Sequence, residues 1–338
     1  MMGIYRFLLA LNVVIFHLLD VPAIGPFAVF SFFVLSGFLM TLIMKETYGY
    51  SLSGLSKYAM NRFLRLFPSY WVLLLITILA IGLVGNSNSK AFHHAMFLPT
   101  TYSEWASNLS LIFWSQTPIE IVPRMAPATW ALTIELFFYL IIGLGVSSSK
   151  VSTLTWVSVS VLYTIYFNLT SHIGLGYGTI WLASLPFSLG AMVYHFKNEI
   201  NKLIEKLSIG NLLFIAYITN LFVASLSSNL LNENLSWKVS FLSSILNLLI
   251  SAVLTVHLFN IDRSLSRRWN SILGNLSYPV YVFHWGGALI AAAIFNDFTR
   301  ENSIIIFGFG LVITLIISYL VEYNVSNRIE RLRRRIKN

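Results

Sequence analysis

Arg6 and His17 stand eleven residues apart in RFLLALNVVIFH, a stretch whose only other polar residue is Asn12. At about 100° per residue, that separation returns to the same helical face after three turns, with about 16 Å of rise between them. A cation and an imidazole on one face of an apolar helix are materials for anion binding at one end and proton transfer at the other. A charge at the centre of a bilayer costs at least ~2.5 kcal/mol, so each such residue needs a partner or a job. Arg6, close to the start of the chain, can also snorkel to the headgroups. His17 lies three turns deeper and has two readings. It is either a neutral, hydrogen-bonded interior residue or a general base, because desolvation favours the neutral imidazole that accepts a proton.

Four further groupings have chemistry in them. In ATWALTIELFFYL, residues 128–140, Glu135 is flanked by Trp130 and Tyr139, with Thr129 and Thr133 adding hydroxyls. Counted from the outer end of its span, Glu135 reaches a depth like that of His17, which permits the carboxylate to orient the imidazole. The other reading pairs it with Arg124 or with hydroxyls. In KYAMNRFLRLFPSYW, residues 57–71, Arg62 and Arg65 are three apart and share a helix face. Two guanidiniums so placed suit bidentate phosphate binding, and equally suit anchoring at the inner headgroups. In SFFVLSGFL, residues 31–39, Ser36 and Gly37 remove bulk, either for close helix packing or for a groove that admits a thin linear substrate. In GNLSYPVYVFHW, residues 274–285, Pro279 should kink the helix and free a carbonyl between Tyr278 and Tyr281, while His284 is a second functional imidazole or a packed one. Glu322 is expected to pair with nearby basic residues.

These residues have to be carried by a membrane. Of 338 residues 57% are hydrophobic and only 10% charged, with a mean hydropathy of +0.74, whereas a soluble domain has about a quarter of its residues charged. The predicted fold is an all-α integral membrane protein with about ten transmembrane helices, near 4–20, 27–44, 66–85, 129–146, 152–168, 178–196, 210–227, 240–259, 273–294 and 303–321. With the N-terminus inside, all of the 22 Lys and Arg residues except Lys90, Arg124, Lys238 and Arg300 fall on the cytoplasmic side. That asymmetry places both termini in the cytoplasm. It also makes the net charge of +9 a matter of topology rather than of nucleic-acid binding. Residues 1–325 read as one transmembrane domain and 326–338, RIERLRRRIKN at its heart, as a basic cytoplasmic tail lying on anionic lipid. The outer loop at about 86–128, with His93, His94, Trp105 and Trp114, should fold into short interfacial helices acting as a lid or acceptor platform. The absence of cysteine excludes disulfides, thiolate metal sites and a thiol nucleophile, and no metal is expected. A cleavable leader is not expected either, since Arg6 interrupts the first apolar run and no small-x-small site follows.

Together the segments resemble the membrane acyltransferase-3 family, the O-acyltransferases of bacterial envelopes. RFLLALNVVIFH looks like its Arg-x10-His signature and FFVLSGFLMT like its second-helix motif. NRFLRLFPSYW looks like its Arg-x-x-Arg motif, PATWALTIELFFYL like its Trp-Ser-Leu-x-x-Glu motif, and LSYPVYVFHW like its late Ser-Tyr-x-x-Tyr-x-x-His segment. The resemblance implies that Arg6 and His17 are essential, with His17 the base, that Arg62 and Arg65 contact acyl-CoA, and that Glu135 supports the site. Ser36 would line the donor path, and Trp130, Tyr281 and His284 would support the substrate. Two departures stand out: Ala131 replaces the usual serine, and no carboxylate precedes the second-helix motif. The expected activity is transfer of an acetyl group from cytoplasmic acetyl-CoA to a hydroxyl of a surface glycan, at the bacterial inner membrane. The competing reading is a transporter or flippase of lipid-linked sugars that uses the same charges as a proton relay. No internal repeat supports it.

Overall fold

The computed structural model describes residues 1–171, 178–261, 267–301 and 303–337. They fold as fourteen α-helices with short π and 3-10 turns, and there is no strand among the described residues. Among the described residues seven helical segments are long and apolar enough to cross a bilayer: Met2–Leu19, Ile24–Tyr48, Leu52–Val84, Gly210–Leu230, Glu233–Asn260, Arg268–Phe295 and Ser303–Arg333. They contain helices α1, α2, α3, α10, α11, α12 and α13 in that order. The remaining three expected spans are also helical but fall short of that standard. α6 (Trp130–Gly143) and α8 (Ile180–His195) have 14 and 16 residues, where ~20 are needed to cross ~30 Å of hydrocarbon. α7 (Lys150–Ser171) is long but rich in serine and threonine.

The sides of the helices are distributed as lipid would demand. On α13 (Ser303–Val321) the outward residues include Ile304, Phe309, Val312 and Ile316, while Gly310, Thr314 and Ser318 are turned inward. Small and hydroxylated residues let helices approach closely where hydrocarbon gives no reason to hide leucine. The same rule explains Gly37. A β-carbon on Gly37 of α2 (Ile24–Ile43) would overlap the Phe187 carbonyl of α8, and one on Gly190 of α8 would overlap the Val34 carbonyl of α2. Of the two readings for this segment, the structure therefore uses Gly37 for close packing. Gly37→Val is expected to cost about 1–3 kcal/mol or more through overpacking. The check is a lowered melting temperature or loss of monodisperse protein in detergent.

α2 lies at the centre, packed between α1 (Met2–Leu19), α8 and α11 (Glu233–Asn260). α1 in turn packs along α12 (Arg267–Phe295), and their register is set at one end by Asn270. Its Oδ1 accepts from the backbone N–H groups of Gly3 (2.7 Å) and Ile4 (3.2 Å), two of the donors that an uncapped helix start leaves unsatisfied. α12 runs unbroken through Pro279.

Two elements differ from the sequence-based expectation. The third span was predicted to begin at residue 66, yet α3 (Leu52–Val84) is one continuous helix of 33 residues. Lys57, Arg62 and Arg65 depress the hydropathy of its first third, but both arginines turn into the protein rather than marking a boundary. The basic tail is likewise not a loose end. After a π turn at Glu322–Ser326 it forms α14 (Asn327–Lys337), which packs back on α3.

The stretch between α3 and α6 forms the expected short helices, α4 (Asn86–Phe92) and α5 (Tyr102–Ser110), followed by 3-10 turns at Pro118–Glu120 and Pro127–Thr129. It is tightly stitched. Asn108 is fully buried, donating to the Glu104 and Pro123 carbonyls and accepting from the Met125 N–H, while Tyr70 and Trp71 of α3 donate to the carbonyls of Asn108 and Leu109. Met125, Ala126, Pro127, Ala128 and Thr129 are all buried. The chain is therefore already inside the protein when α6 begins.

Candidate active site

A cavity of about 320 Å³ opens between α1, α2, α3, α6, α12 and α14, and its lining includes Arg6, Ser36, Arg62, Arg65, Glu135, Tyr281 and Arg333. Arg6 comes from the second turn of α1 and Arg62 and Arg65 from successive turns of α3. Arg62 donates to the Asn61 Oδ1 at 2.9 Å. Arg6 and Arg65 make no hydrogen bond or ion pair among the described residues. The sole carboxylate in the lining among the described residues is Glu135, which accepts from the Ser36 hydroxyl (2.8 Å) and the Tyr139 hydroxyl (3.2 Å). Four guanidiniums line the chamber with that carboxylate, and of the four Arg333 alone has an ion pair among the described residues, to Glu330; in a setting of low dielectric the remaining positive charge makes the chamber anion-seeking.

His17 is not in that lining. Three turns along α1 from Arg6, its Nδ1 lies 2.9 Å from the Nε2 of His284 on α12, with the rings stacked at 8°. The Nδ1 of His284 is 2.7 Å from the carbonyl oxygen of Tyr281. That carbonyl can only accept, so His284 Nδ1 carries a hydrogen and, in the neutral ring, its Nε2 is an acceptor. His17 Nδ1 must then be the donor. The remaining nitrogen, His17 Nε2, keeps its lone pair and has no hydrogen-bond partner among the described residues. One backbone carbonyl thus fixes two tautomers and leaves His17 arranged as a proton acceptor.

The surroundings of this pair come from the segment between α3 and α6 and from the loop after α12. The Arg300 guanidinium donates to the His17 carbonyl (2.8 Å) and to Asp20 (3.0 Å), holding the end of α1. His93 stands edge-on to Trp285 with ring centroids 4.4 Å apart, and Trp285 is 5.3 Å from His17. Burial, and then the nearby His94, Arg124, Arg300 and His284, pushes the pKa of His93 down to about 3. It is neutral, and since its Nδ1 accepts from the Ala95 N–H at 3.1 Å its Nε2 carries the proton. The Trp285 indole N–H is buried without a partner among the described residues.

The sequence permits two settings for Glu135, beside His17 or held by Arg124 or by hydroxyls; it accepts from the Ser36 and Tyr139 hydroxyls in the arginine chamber, and the partner of His17 is a second imidazole. A depth counted for Glu135 from the end of its span takes that end to be a surface, but the chain is already buried where α6 starts. Arg124 does not pair with Glu135 in any hydrogen bond or salt bridge seen here; it is buried and donates to the Ile121 and Pro127 carbonyls. Trp130 is buried at the first turn of α6, outside the cavity lining. Tyr281 joins the two regions: it lines the cavity, its hydroxyl donates to the Ala128 carbonyl at 2.7 Å, and its own carbonyl holds His284. The residue missed in the sequence is Arg333. Its position inside a run of basic residues looked like lipid anchoring. Apolar spacing gives no signal for it, since the adjoining Leu332 is 50% exposed while Arg333 is buried.

A family model described as an acyltransferase domain matches residues 3–323 of the chain. The chain belongs to the acyltransferase-3 family. The match takes in both the arginine chamber and the histidine pair, though it ends before Arg333. No curated protein and no solved structure matches the chain. Family membership and the apolar helices together make this acyltransferase-3 member a multi-pass membrane acyltransferase.

Proposed function

We propose that this protein is an O-acetyltransferase of about ten spans, with both termini in the cytoplasm of a bacterial inner membrane, that passes the acetyl group of acetyl-CoA to a hydroxyl of an envelope glycan. The observation that carries the reading is the division of labour along α1. Arg6 sits in a chamber of guanidiniums suited to the donor's phosphates, and His17 sits about 16 Å further on with a free ring nitrogen. α6, α7 and α8 complete the count of spans by packing their short or polar lengths against longer neighbours.

In this reading the donor enters from the cytoplasmic side with its phosphates at Arg62 and Arg65, and its thin pantetheine arm runs past Ser36 towards Tyr281. His17 Nε2 takes the proton of the acceptor hydroxyl as that oxygen attacks the thioester carbonyl carbon. The new C–O bond forms, the C–S bond breaks, and the departing thiolate recovers the proton from the imidazolium. His284 accepts from His17 Nδ1 throughout and keeps the base in one orientation, so it is a positioning residue. Glu135 offsets part of the arginine charge and holds Ser36. The unpartnered Trp285 N–H and the protonated Nε2 of His93 suit an oxygen-rich acceptor. Membrane lipids surround the assembly, and the acceptor is lipid-linked or polymeric glycan.

Inverted membrane vesicles supplied with acetyl-labelled acetyl-CoA should place label in an alkali-labile ester on glycan. Movement of lipid-linked sugar without acetyl-CoA, and no ester, would replace this reading with the transporter.

A further inference from the structure

α14 begins after the matched family region is complete, and its sequence reading gave it no part in the site. Arg333 of that helix is nevertheless only 8% exposed. It lines the chamber already described and also a second cavity of about 290 Å³, bounded by Leu64, Pro279, Glu322, Ser326 and Ile329. Arg65, Ser271, Asn275, Tyr278 and Arg333 are common to both cavities, so the two are adjacent and a pair of guanidiniums stands at the wall they share.

The polar contacts there are incomplete. Arg333 donates to Glu330 (2.5 Å) and to the Asn61 Oδ1 (3.1 Å), the same oxygen that accepts from Arg62. Two cations are thus drawn together on one neutral acceptor. The Nε–H groups of both Arg62 and Arg333 are buried with no hydrogen-bond partner among the described residues. A multiply charged anion at this wall would satisfy both donors and offset the repulsion. Size points the same way. Drug-sized ligands fill about 300–1,000 Å³, and coenzyme A, a large member of that class, exceeds the first chamber alone.

Resting on the donor reading above, we infer that Arg333 is a donor-binding residue that joins Arg62 and Arg65 around the phosphates of coenzyme A at the wall between the two cavities. The thioester arm lies in the chamber that leads to Tyr281, and the nucleotide lies in the cavity under α14. The C-terminal helix is then part of the donor site, strapped to α3 through Asn61, and Glu330 is the internal anion that coenzyme A must displace in part from Arg333.

The test is calorimetric binding of coenzyme A to the full-length protein in detergent. Arg333→Gln should weaken binding about tenfold or more, and Arg333→Lys should lose less. Arg331→Gln removes the same charge from an exposed position of the same helix and should leave binding within about twofold. Glu330→Gln should tighten binding severalfold by releasing Arg333, an effect that a merely structural tail would not give. Unchanged binding by Arg333→Gln, equal losses for Arg331→Gln and Arg333→Gln, or no gain with Glu330→Gln would overturn the inference while leaving the donor reading intact. A wild-type protein that does not bind coenzyme A would overturn both. Should Arg333→Gln fail to yield folded protein, the Glu330→Gln arm decides alone.

Discussion

His17→Ala is expected to lower the rate of acetyl transfer by about 10²–10⁴-fold, the usual contribution of a positioned general base, while the protein still inserts and folds. The alanine removes only the ring that stacks on His284; α1 keeps its Asn270 cap and its contact with Arg300 through the His17 carbonyl, which is backbone. The loss should fall on kcat and spare coenzyme A affinity, because the guanidiniums lie three helical turns away. His284→Ala is the graded companion. It frees His17 to take the wrong tautomer without removing the base, so a loss of about 10–100-fold is expected. Rates at saturating acetyl-CoA, with binding of coenzyme A measured separately, check both. Full activity in His17→Ala sinks the base assignment, and a His284 variant more damaged than His17→Ala reverses the two roles.

What the sequence made legible, and what it did not, divides along physical lines. Periodicity and hydropathy are local, and the helices they predict are there, including the short ones between α3 and α6. The shared face of Arg6 and His17 is also local, since one rigid helix carries both. Which residues meet across helices is not. His17 and His284 are 267 positions apart, and no spacing rule announces that one imidazole will orient the other. The sequence offered Glu135 for that role because depth was counted from a surface. The count failed where buried chain from Met125 to Thr129 precedes α6. Arg333 was concealed for a different reason: in a run of lysines and arginines, positive-inside anchoring explains every residue equally well, so the one that turns inward leaves no compositional mark. For Gly37 both readings were open from sequence, and only the position of the Phe187 carbonyl chooses between them.

Arg65→Gln should move stability and activity in opposite directions. Arg65 lies one turn from Arg62, faces both cavities, and has no hydrogen bond or ion pair among the described residues. Glu322 and Glu330 line the second cavity with it, but neither comes within salt-bridge range. A guanidinium held at that depth beside a like charge costs the empty protein free energy, through desolvation and repulsion together. Neutralising it should therefore raise the melting temperature of the ligand-free protein by a few degrees, about 1 kcal/mol on the scale of a protein this long. If the proposed donor site is right, the same change removes a charge-assisted contact to acetyl-CoA and should raise its KM about tenfold or more, with a smaller effect on kcat. Thermal unfolding without ligand, followed by initial rates across a range of acetyl-CoA, measures the two limbs in one preparation. A variant that melts lower and keeps its KM would mean that Arg65 braces the fold. A variant that melts higher and binds the donor poorly would mean that the chamber maintains unpaired positive charge for the sake of its ligand, the stability–function exchange expected where a site is built before its partner arrives.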